Sequence, residues 1–360
     1  MSVLYIVFTT GCCNLRCRYC GGSFPQNLVP WEVEYSIDNL RKFISDDAEP
    51  IIAFYGGEPL LNAGFIERIM DDFAGCRFVV QSNGTLTKRL EPKYWLKFDS
   101  VLLSIDGRKT ITDHYRGSKV YESVIDSARW LRSIGFRNDL IARMTVSESS
   151  DIYLDVKHLL SLNLFDHIHW QLDVVWSSQW RDFEGWCERS YIPGIDRLVR
   201  FWMKELCQGK VPALVPFISI LGAMVRNENI SCPPCGAGID SLAISTNGDI
   251  LACPIAVDAP WARLGNISTE GRTQAIGKVG IGEPCVSCEY LQYCGGRCLY
   301  AHYERLWDDI RLRKICDLTI HTIKELAGVK DETQALLDKG VISLDSFDYP
   351  PFNNTTEIVP

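Results

Sequence analysis

The sequence predicts an α/β fold, a partial (β/α)6 barrel of the TIM type followed by a smaller cysteine-rich domain. The first observation is that amphipathic helical patterns alternate over residues 31–174 with short apolar runs, which suit buried strands. The second is that motifs rich in cysteine, glycine and polar residues follow these apolar runs. Because the carboxyl ends of parallel strands meet at one edge, we expect the motifs to share one mouth.

Each predicted element has its own pattern. The first strand is predicted at Ser2–Thr10, where nearly every residue is apolar, β-branched or aromatic. Further strands are predicted at residues 50–55, 78–81, 101–105, 140–146 and 167–175, and helices at residues 31–45, 62–73, 120–134 and 183–208, the last interrupted at Pro193-Gly194. Asn247-Gly248 between alternating apolar residues predicts a hairpin with a type I′ turn.

Length and composition limit the possible classes of protein. The 360 residues allow one large domain at residues 1–225, a second at 226–325 and a tail at 326–360. From Gly328 the tail has one short helical pattern, and the stretch DSFDYPPFNNTTEIVP that follows is expected to be loosely ordered. The net charge of −8 argues against a nucleic-acid surface. No apolar run reaches the roughly 18 residues of a membrane span, and Met1 is not followed by a charged secretory signal. The chain has fifteen cysteines, and its short cysteine clusters are therefore expected to bind metal in a reducing cytoplasm.

The loop GCCNLRCRYCGG directly follows the first predicted strand. It places Cys13, Cys17 and Cys20 at the spacing CxxxCxxC. Three thiolates cannot complete the four ligand positions of a structural zinc site or of an iron–sulfur cubane. The loop therefore predicts a site with one open coordination position. A second motif, FYGGEPL, ends the second predicted strand.

A second cysteine-rich region follows residue 226, and its cysteines are enough for two complete four-ligand sites. They are Cys232, Cys235, Cys253, Cys285, Cys288, Cys294, Cys298 and Cys316. Taken alone, this region is equally compatible with a pair of zinc sites, since CxxC pairs are common zinc ligands. Of the other cysteines, Cys76, Cys187 and Cys207 are expected to be small buried residues, and Cys12 to pack behind the first cysteine loop.

The combination of CxxxCxΦC after the first strand and GGEP after the second resembles the radical S-adenosylmethionine (SAM) superfamily. The resemblance implies a 4Fe–4S cluster on Cys13, Cys17 and Cys20, with the amino and carboxylate groups of SAM on the open iron. It implies that Tyr19 contacts the adenine. Gly56 and Gly57 would let the backbone approach the methionine moiety, which Glu58 helps to orient, although both glycines also suit a tight turn.

The resemblance extends to polar residues after the third and fourth strands. It implies that Asn83 contacts the ribose, and that Ser104 and Asp106 begin the loop after the fourth strand. Arg116 in DHYRG matches the arginine that meets the SAM carboxylate in sulfatase-maturing members of the family. Arg143, inside an apolar strand, is expected to have SAM or a structural carboxylate as its partner.

The second cysteine region resembles the SPASM domain, which is appended to radical SAM enzymes that modify peptides and proteins. Gly248 lies between Cys235 and Cys253 as in that pattern, and CxxCxxxxxCxxxC and a final cysteine follow. The resemblance implies two auxiliary 4Fe–4S clusters, and three in all. Auxiliary cluster I would use Cys232, Cys235, Cys253 and Cys298, and auxiliary cluster II would use Cys285, Cys288, Cys294 and Cys316. Cys232 is unusually close to Cys235, so it could instead be a bystander.

The resemblance implies a maturase that uses a 5′-deoxyadenosyl radical to crosslink or oxidise a side chain of a ribosomally made peptide, most like the peptide-modifying radical SAM proteins of methanogenic archaea. Its partners would be the precursor peptide, a ferredoxin- or flavodoxin-type electron donor, and a separate leader-recognition protein unless the barrel and tail bind the leader. No nucleic-acid or membrane partner is expected, and no catalytic residue is assigned.

Two alternatives remain open at this point. One is a sulfatase-type maturase or a dehydrogenase of a small alcohol, although Pro254 stands where the sulfatase-maturing relatives have an aspartate. The other is a zinc-stabilised binding protein or a simple electron carrier. The metal content of the purified protein separates this last class from the radical SAM enzymes.

Overall fold

A computed structural model describes residues 2–174, 180–305, 308–350 and 353. The predicted strand end at Val175 and tail residues 354–360 lie outside the described residues. The strands, in chain order, are β1 (Leu4–Thr10), β2 (Ile51–Gly56), β3 (Arg77–Ser82), β4 (Ser100–Ser104), β5 (Asp139–Val146), β6 (His167–Leu172), β7 (Leu214–Val215), β8 (Ser241–Ile244), β9 (Asp249–Leu251) and β10 (Arg263–Asn266).

The helices alternate with the strands as far as β7 and dominate the end of the chain. They are α1 (Ile37–Ile44), α2 (Ala63–Asp72), α3 (Pro92–Trp95), α4 (Lys109–Arg116), α5 (Val120–Ser133), α6 (Ile152–Ser161), α7 (Phe183–Trp186), α8 (Ile192–Leu206), α9 (Phe217–Arg226), α10 (Arg272–Ala275), α11 (Leu291–Cys294), α12 (Leu299–Glu304), α13 (Asp309–Gly328) and α14 (Lys330–Asp338). Among the described helices, none combines the length and apolar character that a membrane span needs.

The chain divides into two compact units that are interleaved along the sequence. The first contains Met1–Ser104, Thr112–Ile141 and Cys235–Gly280, and the second contains Ile105–Ile111, Ala142–Pro234 and Ile281–Pro360. The domain boundaries predicted after residues 225 and 325 stay a prediction.

The first unit is built on a sheet with β1 at its centre. The strand order is β10-β9-β8-β1-β2-β3-β4, and β1 pairs in parallel with both β2 and β8. Every residue of β1 is buried, as expected for a parallel strand covered on both faces. Since β2, β3 and β4 also run parallel to β1, their carboxyl ends lie at the same edge as the end of β1.

The predicted helix at residues 31–45 begins later than expected. Ser36 is its N-cap, and its side chain accepts a 3.2 Å hydrogen bond from the backbone nitrogen of Asn39. A capping serine stabilises the start of a helix at the next residue, so α1 begins at Ile37. The residues before Ser36 connect the cysteine loop to α1.

The hairpin predicted at Asn247-Gly248 is present, but the type I′ turn was wrong. Strands β8 and β9 are antiparallel, and the backbone nitrogen of Gly248 donates to the carbonyl of Ser245 at 2.9 Å. Gly248 has a φ of +84°, whereas Asn247 is not among the described residues with a positive φ. A type I′ turn requires a positive φ at both central residues. The loop instead has a single left-handed residue, its glycine.

The second unit contains most of β5, together with β6, β7 and a helical layer. The interruption predicted at Pro193-Gly194 was wrong, because α8 runs through both residues. Pro193 lies in the first helical turn, where its missing N–H is not needed. Gly194 packs so closely on Ile152 that a Cβ there would lie 2.5 Å from its side chain. The glycine is therefore used for helix packing rather than for a break.

The tail is better ordered than the sequence indicated, as far as Pro350. After α14, Phe347 is only 2% exposed and packs edge-on against Trp202, with the ring centroids 6.0 Å apart. Asp348 forms an ion pair with Arg226, and the Tyr349 hydroxyl lies 3.1 Å from Nδ1 of His169. These contacts attach the end of the chain to the rest of the second unit.

Candidate cofactor site

The cysteine loop leaves β1 at Thr10 and is fixed by backbone hydrogen bonds. The nitrogen of Gly11 donates to Pro30, and Phe24 donates back to the Gly11 carbonyl at 2.8 Å. Within the loop, Cys20 and Gly21 both donate to the carbonyl of Cys17, at 3.2 and 3.0 Å. This tight turn brings the second and third cysteines of the motif together.

The three predicted ligands of the first cluster lie in one place. The Cys17 thiol hydrogen-bonds to Cys20 and, with help from the Gly22 backbone and the positive charge of Arg116, lowers the Cys20 pKa to about 6. Burial raises the pKa of Cys13 to about 11, and the negative charges of Glu58 and Cys20 act in the same direction. This set of three neighbouring thiols fits a cluster that is held by three thiolates.

Cys12 stands apart from this triplet in its contacts. Its sulfur lies 3.8 Å from the Ser23 hydroxyl, which donates to it, and its backbone nitrogen donates to the Thr10 hydroxyl at 3.1 Å. Cys12 thus contacts Ser23 and Thr10, which agrees with the packing role expected for it.

The GGEP motif packs directly on the cysteine loop. The nitrogen of Gly57 donates to the Thr10 carbonyl at 3.0 Å. Gly56 has a φ of +140°, and a Cβ there would lie 2.2 Å from that same carbonyl oxygen. A Cβ on Gly57 would lie 2.2 Å from the carbonyl oxygen of Cys12. Both glycines are thus required where the two loops meet, whether or not they also approach SAM.

Glu58 connects GGEP to the end of β3. Its side chain is 1% exposed. It accepts hydrogen bonds from the Ser82 hydroxyl at 2.8 Å and from the backbone nitrogens of Asn83 at 2.7 Å and Leu60 at 3.2 Å. Burial raises its pKa to about 7, although these hydrogen bonds favour the charged form and act to lower the pKa. Glu58 therefore positions the SNG loop, and its predicted contact with methionine stays a prediction.

Asn83 contacts Asn14, a residue that the sequence analysis did not indicate. Its amide nitrogen donates to the side-chain oxygen of Asn14 at 2.9 Å, and its oxygen accepts from the hydroxyl of Thr85 at 2.7 Å. Asn14 in turn donates to the Thr85 hydroxyl at 2.8 Å. This network joins the cysteine loop to the loop after β3. The available signal was the polar Asn14 between two ligand cysteines.

Tyr19 and Arg116 lie side by side. The guanidinium carbon of Arg116 is 5.4 Å from the centroid of the Tyr19 ring, and Tyr115 stacks on the same ring at 5.9 Å. Arg116 is 7% exposed. The Tyr115 carbonyl also accepts from the nitrogen of Arg18 at 2.9 Å, which fixes α4 against the cysteine loop. Tyr115 was the second residue that the sequence did not indicate.

The other predicted polar residues differ in their surroundings. Ser104 is buried at the end of β4 in the first unit. In the second unit, Asp106 is fully buried and accepts from the nitrogen of Thr145 at 2.9 Å. Arg143 donates to the carbonyl of His169 at 3.5 Å and to the side-chain oxygen of Gln171. An amide and backbone carbonyls thus contribute to satisfying the buried guanidinium. Contacts of these residues with SAM stay predictions.

The second unit contains its own group of thiols. Burial raises the pKa of Cys285, and the neighbouring thiols of Cys316, Cys288 and Cys232 raise it further. Burial also raises the pKa of Cys294 to about 11, with Cys316 and Cys285 acting in the same direction. Cys285 thus lies near the three other predicted ligands of auxiliary cluster II, and near Cys232.

The predicted ligands of auxiliary cluster I are divided between the units. Cys235 and Cys253 belong to the first, and Cys232 and Cys298 to the second. Their joint ligation of a cluster stays a prediction. Of the remaining cysteines, Cys187 is buried and Cys76 is half-buried, but the burial expected for Cys207 was wrong. Cys207 is exposed at the end of α8, and its thiol lies 3.6 Å from Glu332.

Residues 7–148 match the model of the radical SAM superfamily. A similar protein is an uncharacterized protein of Archaeoglobus fulgidus, which is 25% identical over 86% of this chain and 77% of its own length. The mycofactocin maturase MftC of Mycolicibacterium smegmatis is 24% identical over 82% of this chain and 77% of its own length. The AdoMet-dependent heme synthase of Nitratidesulfovibrio vulgaris is 22% identical over 85% of this chain and 90% of its own length.

Solved structures show the same fold. The protein anSMEcpe with bound AdoMet has a TM-score of 0.72 at 17% identity, over 91% of this chain and 99% of the other. Streptococcus suis SuiB, bound to its precursor peptide SuiA, has a TM-score of 0.56 at 14% identity, over 83% of this chain and 72% of the other. The predicted α/β fold class is confirmed. Residues 7–148, which contain the three-thiol loop and GGEP, form a radical SAM domain.

Proposed function

We propose that this radical SAM enzyme modifies a side chain of a ribosomally made peptide by forming a crosslink or by oxidation. The observation that carries the proposal is the second group of thiols around Cys285, in addition to the triplet at Cys13, Cys17 and Cys20. The similarity to a maturase, MftC, and the fold shared with SuiB, which was solved with a precursor peptide, support this substrate class.

The first unit supplies most of the residues that would hold SAM and its cluster. Cys13, Cys17 and Cys20 would ligate the cluster, and Arg116 beside Tyr19 would pair with the SAM carboxylate. When bound and reduced, this cofactor pair supplies a 5′-deoxyadenosyl radical that abstracts a hydrogen atom from the substrate. The chain's own contribution is to orient SAM, through the rigid contact of the GGEP loop with the cysteine loop.

The proposal includes two auxiliary 4Fe–4S clusters in a SPASM domain at residues 226–325, on the two sets of four cysteines named above. Neighbouring thiols fit this use, since an Fe–S cluster needs several thiolates in one place. The partners would be a ferredoxin- or flavodoxin-type electron donor and a leader-recognition protein, in a reducing cytoplasm that keeps thiols available.

The first experiment measures cluster content and SAM cleavage. Anaerobically reconstituted protein is expected to contain about twelve iron atoms and to form 5′-deoxyadenosine with dithionite and SAM. Cys13→Ser is expected to lose about four of those iron atoms and all SAM cleavage, whereas the exposed Cys207→Ser should lose neither. Zinc in place of iron, or no 5′-deoxyadenosine, contradicts the enzyme proposal.

The second experiment identifies the substrate class. Short peptides encoded beside the gene are co-expressed with the protein and examined by mass spectrometry. A mass loss of two hydrogens on one peptide supports crosslinking or oxidation. If SAM is cleaved but no peptide changes, a small-molecule substrate is indicated, and porphyrin or alcohol products are then sought. A formylglycine product would indicate a sulfatase-type maturase.

A further inference from the structure

Three potential metal ligands, none of them a cysteine, converge between two helices of the second unit. Asp196 lies on α8, and His321 and Glu325 lie one turn apart on α13. Nε2 of His321 is 2.7 Å from Oδ1 of Asp196. A nitrogen or oxygen atom of each of the three residues lies within 4.8 Å of one from each of the others. One ion could therefore contact all three side chains after small rotamer changes.

The surroundings of the three residues leave their side chains able to bind a cation. The side chains of His321 and Asp196 are 26% and 31% exposed, so solvent screens them only in part. Among the residues that the structure describes, no lysine or arginine forms an ion pair with Glu325. Its neighbour Lys324 lies over the ring of Tyr290, and Arg197, next to Asp196, lies 3.9 Å from the centroid of the Tyr153 ring.

The donor set selects a class of metal. One imidazole nitrogen with two carboxylate oxygens suits zinc and similar divalent transition ions, whereas calcium and magnesium prefer oxygen ligands alone. Three protein ligands leave a fourth position for water. The set contains no thiolate, which separates it from the iron–sulfur sites.

We propose that Asp196, His321 and Glu325 bind a divalent cation of the zinc class. The ion would crosslink α8 to α13. Cys316, a proposed ligand of auxiliary cluster II, lies on the same helix five residues before His321. Binding at the new site would therefore stabilise the helix that carries this cysteine. The ion-binding proposal does not depend on the enzyme function.

The test uses reconstituted full-length protein, with zinc as the probe. Equilibrium dialysis is expected to give one zinc per chain that Glu325→Gln weakens about tenfold or more. Among the described residues, Glu325 has no side-chain hydrogen bond or ion pair for Glu325→Gln to break. Asp331→Asn, at an exposed acid on α14, is the matched control that should leave binding unchanged. His321→Gln, with iron content measured alongside, is expected to weaken binding in the same way.

X-ray absorption at the zinc edge identifies the ligands. Nitrogen and oxygen at about 2.0–2.1 Å are expected, and thiolate binding would instead show sulfur at about 2.3 Å. Zinc should also raise the melting temperature of the wild type but not of Glu325→Gln. Zinc bound only through sulfur, or equal affinity in the wild type and Glu325→Gln, would overturn the proposal.

Discussion

The backbone nitrogen of Glu58 donates a 2.8 Å hydrogen bond to the carbonyl oxygen of Cys12. The bond joins GGEP to the cysteine loop, two motifs that are far apart in the sequence. The same carbonyl lies close to Gly57, and this close approach is possible only because glycine has no side chain. The two most characteristic motifs of the chain therefore form one structure, and a change in either is expected to disturb the other.

Gly57→Ala is predicted to disable the cofactor site. Its Cβ would lie 2.2 Å from the Cys12 carbonyl oxygen and 2.9 Å from the Cys13 nitrogen, so the cysteine loop must move. A shift of this size is expected to reduce 5′-deoxyadenosine formation by about 100-fold. Gly64→Ala on α2 is the control, since nothing lies within 4 Å of a Cβ there. Equal activity of the two variants would show that the loops are not closely packed.

Arg116→Ala is predicted to weaken SAM binding by about 10- to 100-fold, because the proposed charge pair between Arg116 and the SAM carboxylate would be lost. Arg116→Lys should restore only part of the affinity, since lysine cannot form the two parallel hydrogen bonds of a guanidinium. Isothermal titration of anaerobic protein with SAM measures the effect. Arg129→Ala on the exposed face of α5 should bind normally. Unchanged affinity in Arg116→Ala would place the SAM carboxylate elsewhere.

Glu58 is predicted to make the stability of the iron-free protein depend on pH. Burial raises the pKa of Glu58 from 4.5 to about 7, so the folded state binds this proton more tightly than the unfolded state. The free energy of unfolding should therefore fall by about 3 kcal/mol as the pH rises from 4.5 to 7. Urea unfolding across that range measures it.

Glu58→Gln tests the same prediction, since glutamine does not titrate. Its unfolding free energy should change less between pH 4.5 and 7 than that of the wild type, even though one hydrogen bond to the SNG loop is lost. Glu91→Gln, whose side chain is 61% exposed, should keep the wild-type slope. The same slope in Glu58→Gln would mean that another group causes the pH dependence.

Phe347→Ala is predicted to destabilise the second unit by about 3–5 kcal/mol, the usual range for removing a buried phenylalanine. Its ring contacts Trp202, and its Cβ packs against Gly222. Thermal unfolding should show the loss, whereas Leu344→Ala, at a side chain 40% exposed, should have little effect. A melting temperature unchanged by Phe347→Ala would mean that the tail is not attached through this residue.

The elements that could be predicted are those whose pattern is local. The burial of β1 follows from its unbroken apolar run, and β2 to β5 begin and end within one or two residues of the predicted bounds. The turn at Gly248 and the course of α8 through Pro193 could not be predicted in the same way. Several local conformations suit each of those sequences, and tertiary packing selects among them.

The sequence by itself determined which residues can act as ligands, because thiolate spacing on a short loop is a local property. It therefore indicated the triplet at Cys13, Cys17 and Cys20 and the superfamily that residues 7–148 match. Only the tertiary structure decided that Asn14 and Tyr115 support that loop and, separately, that the tail is buried at Phe347 in the second unit. Each of these features depends on contacts between distant segments, and no local pattern records such contacts.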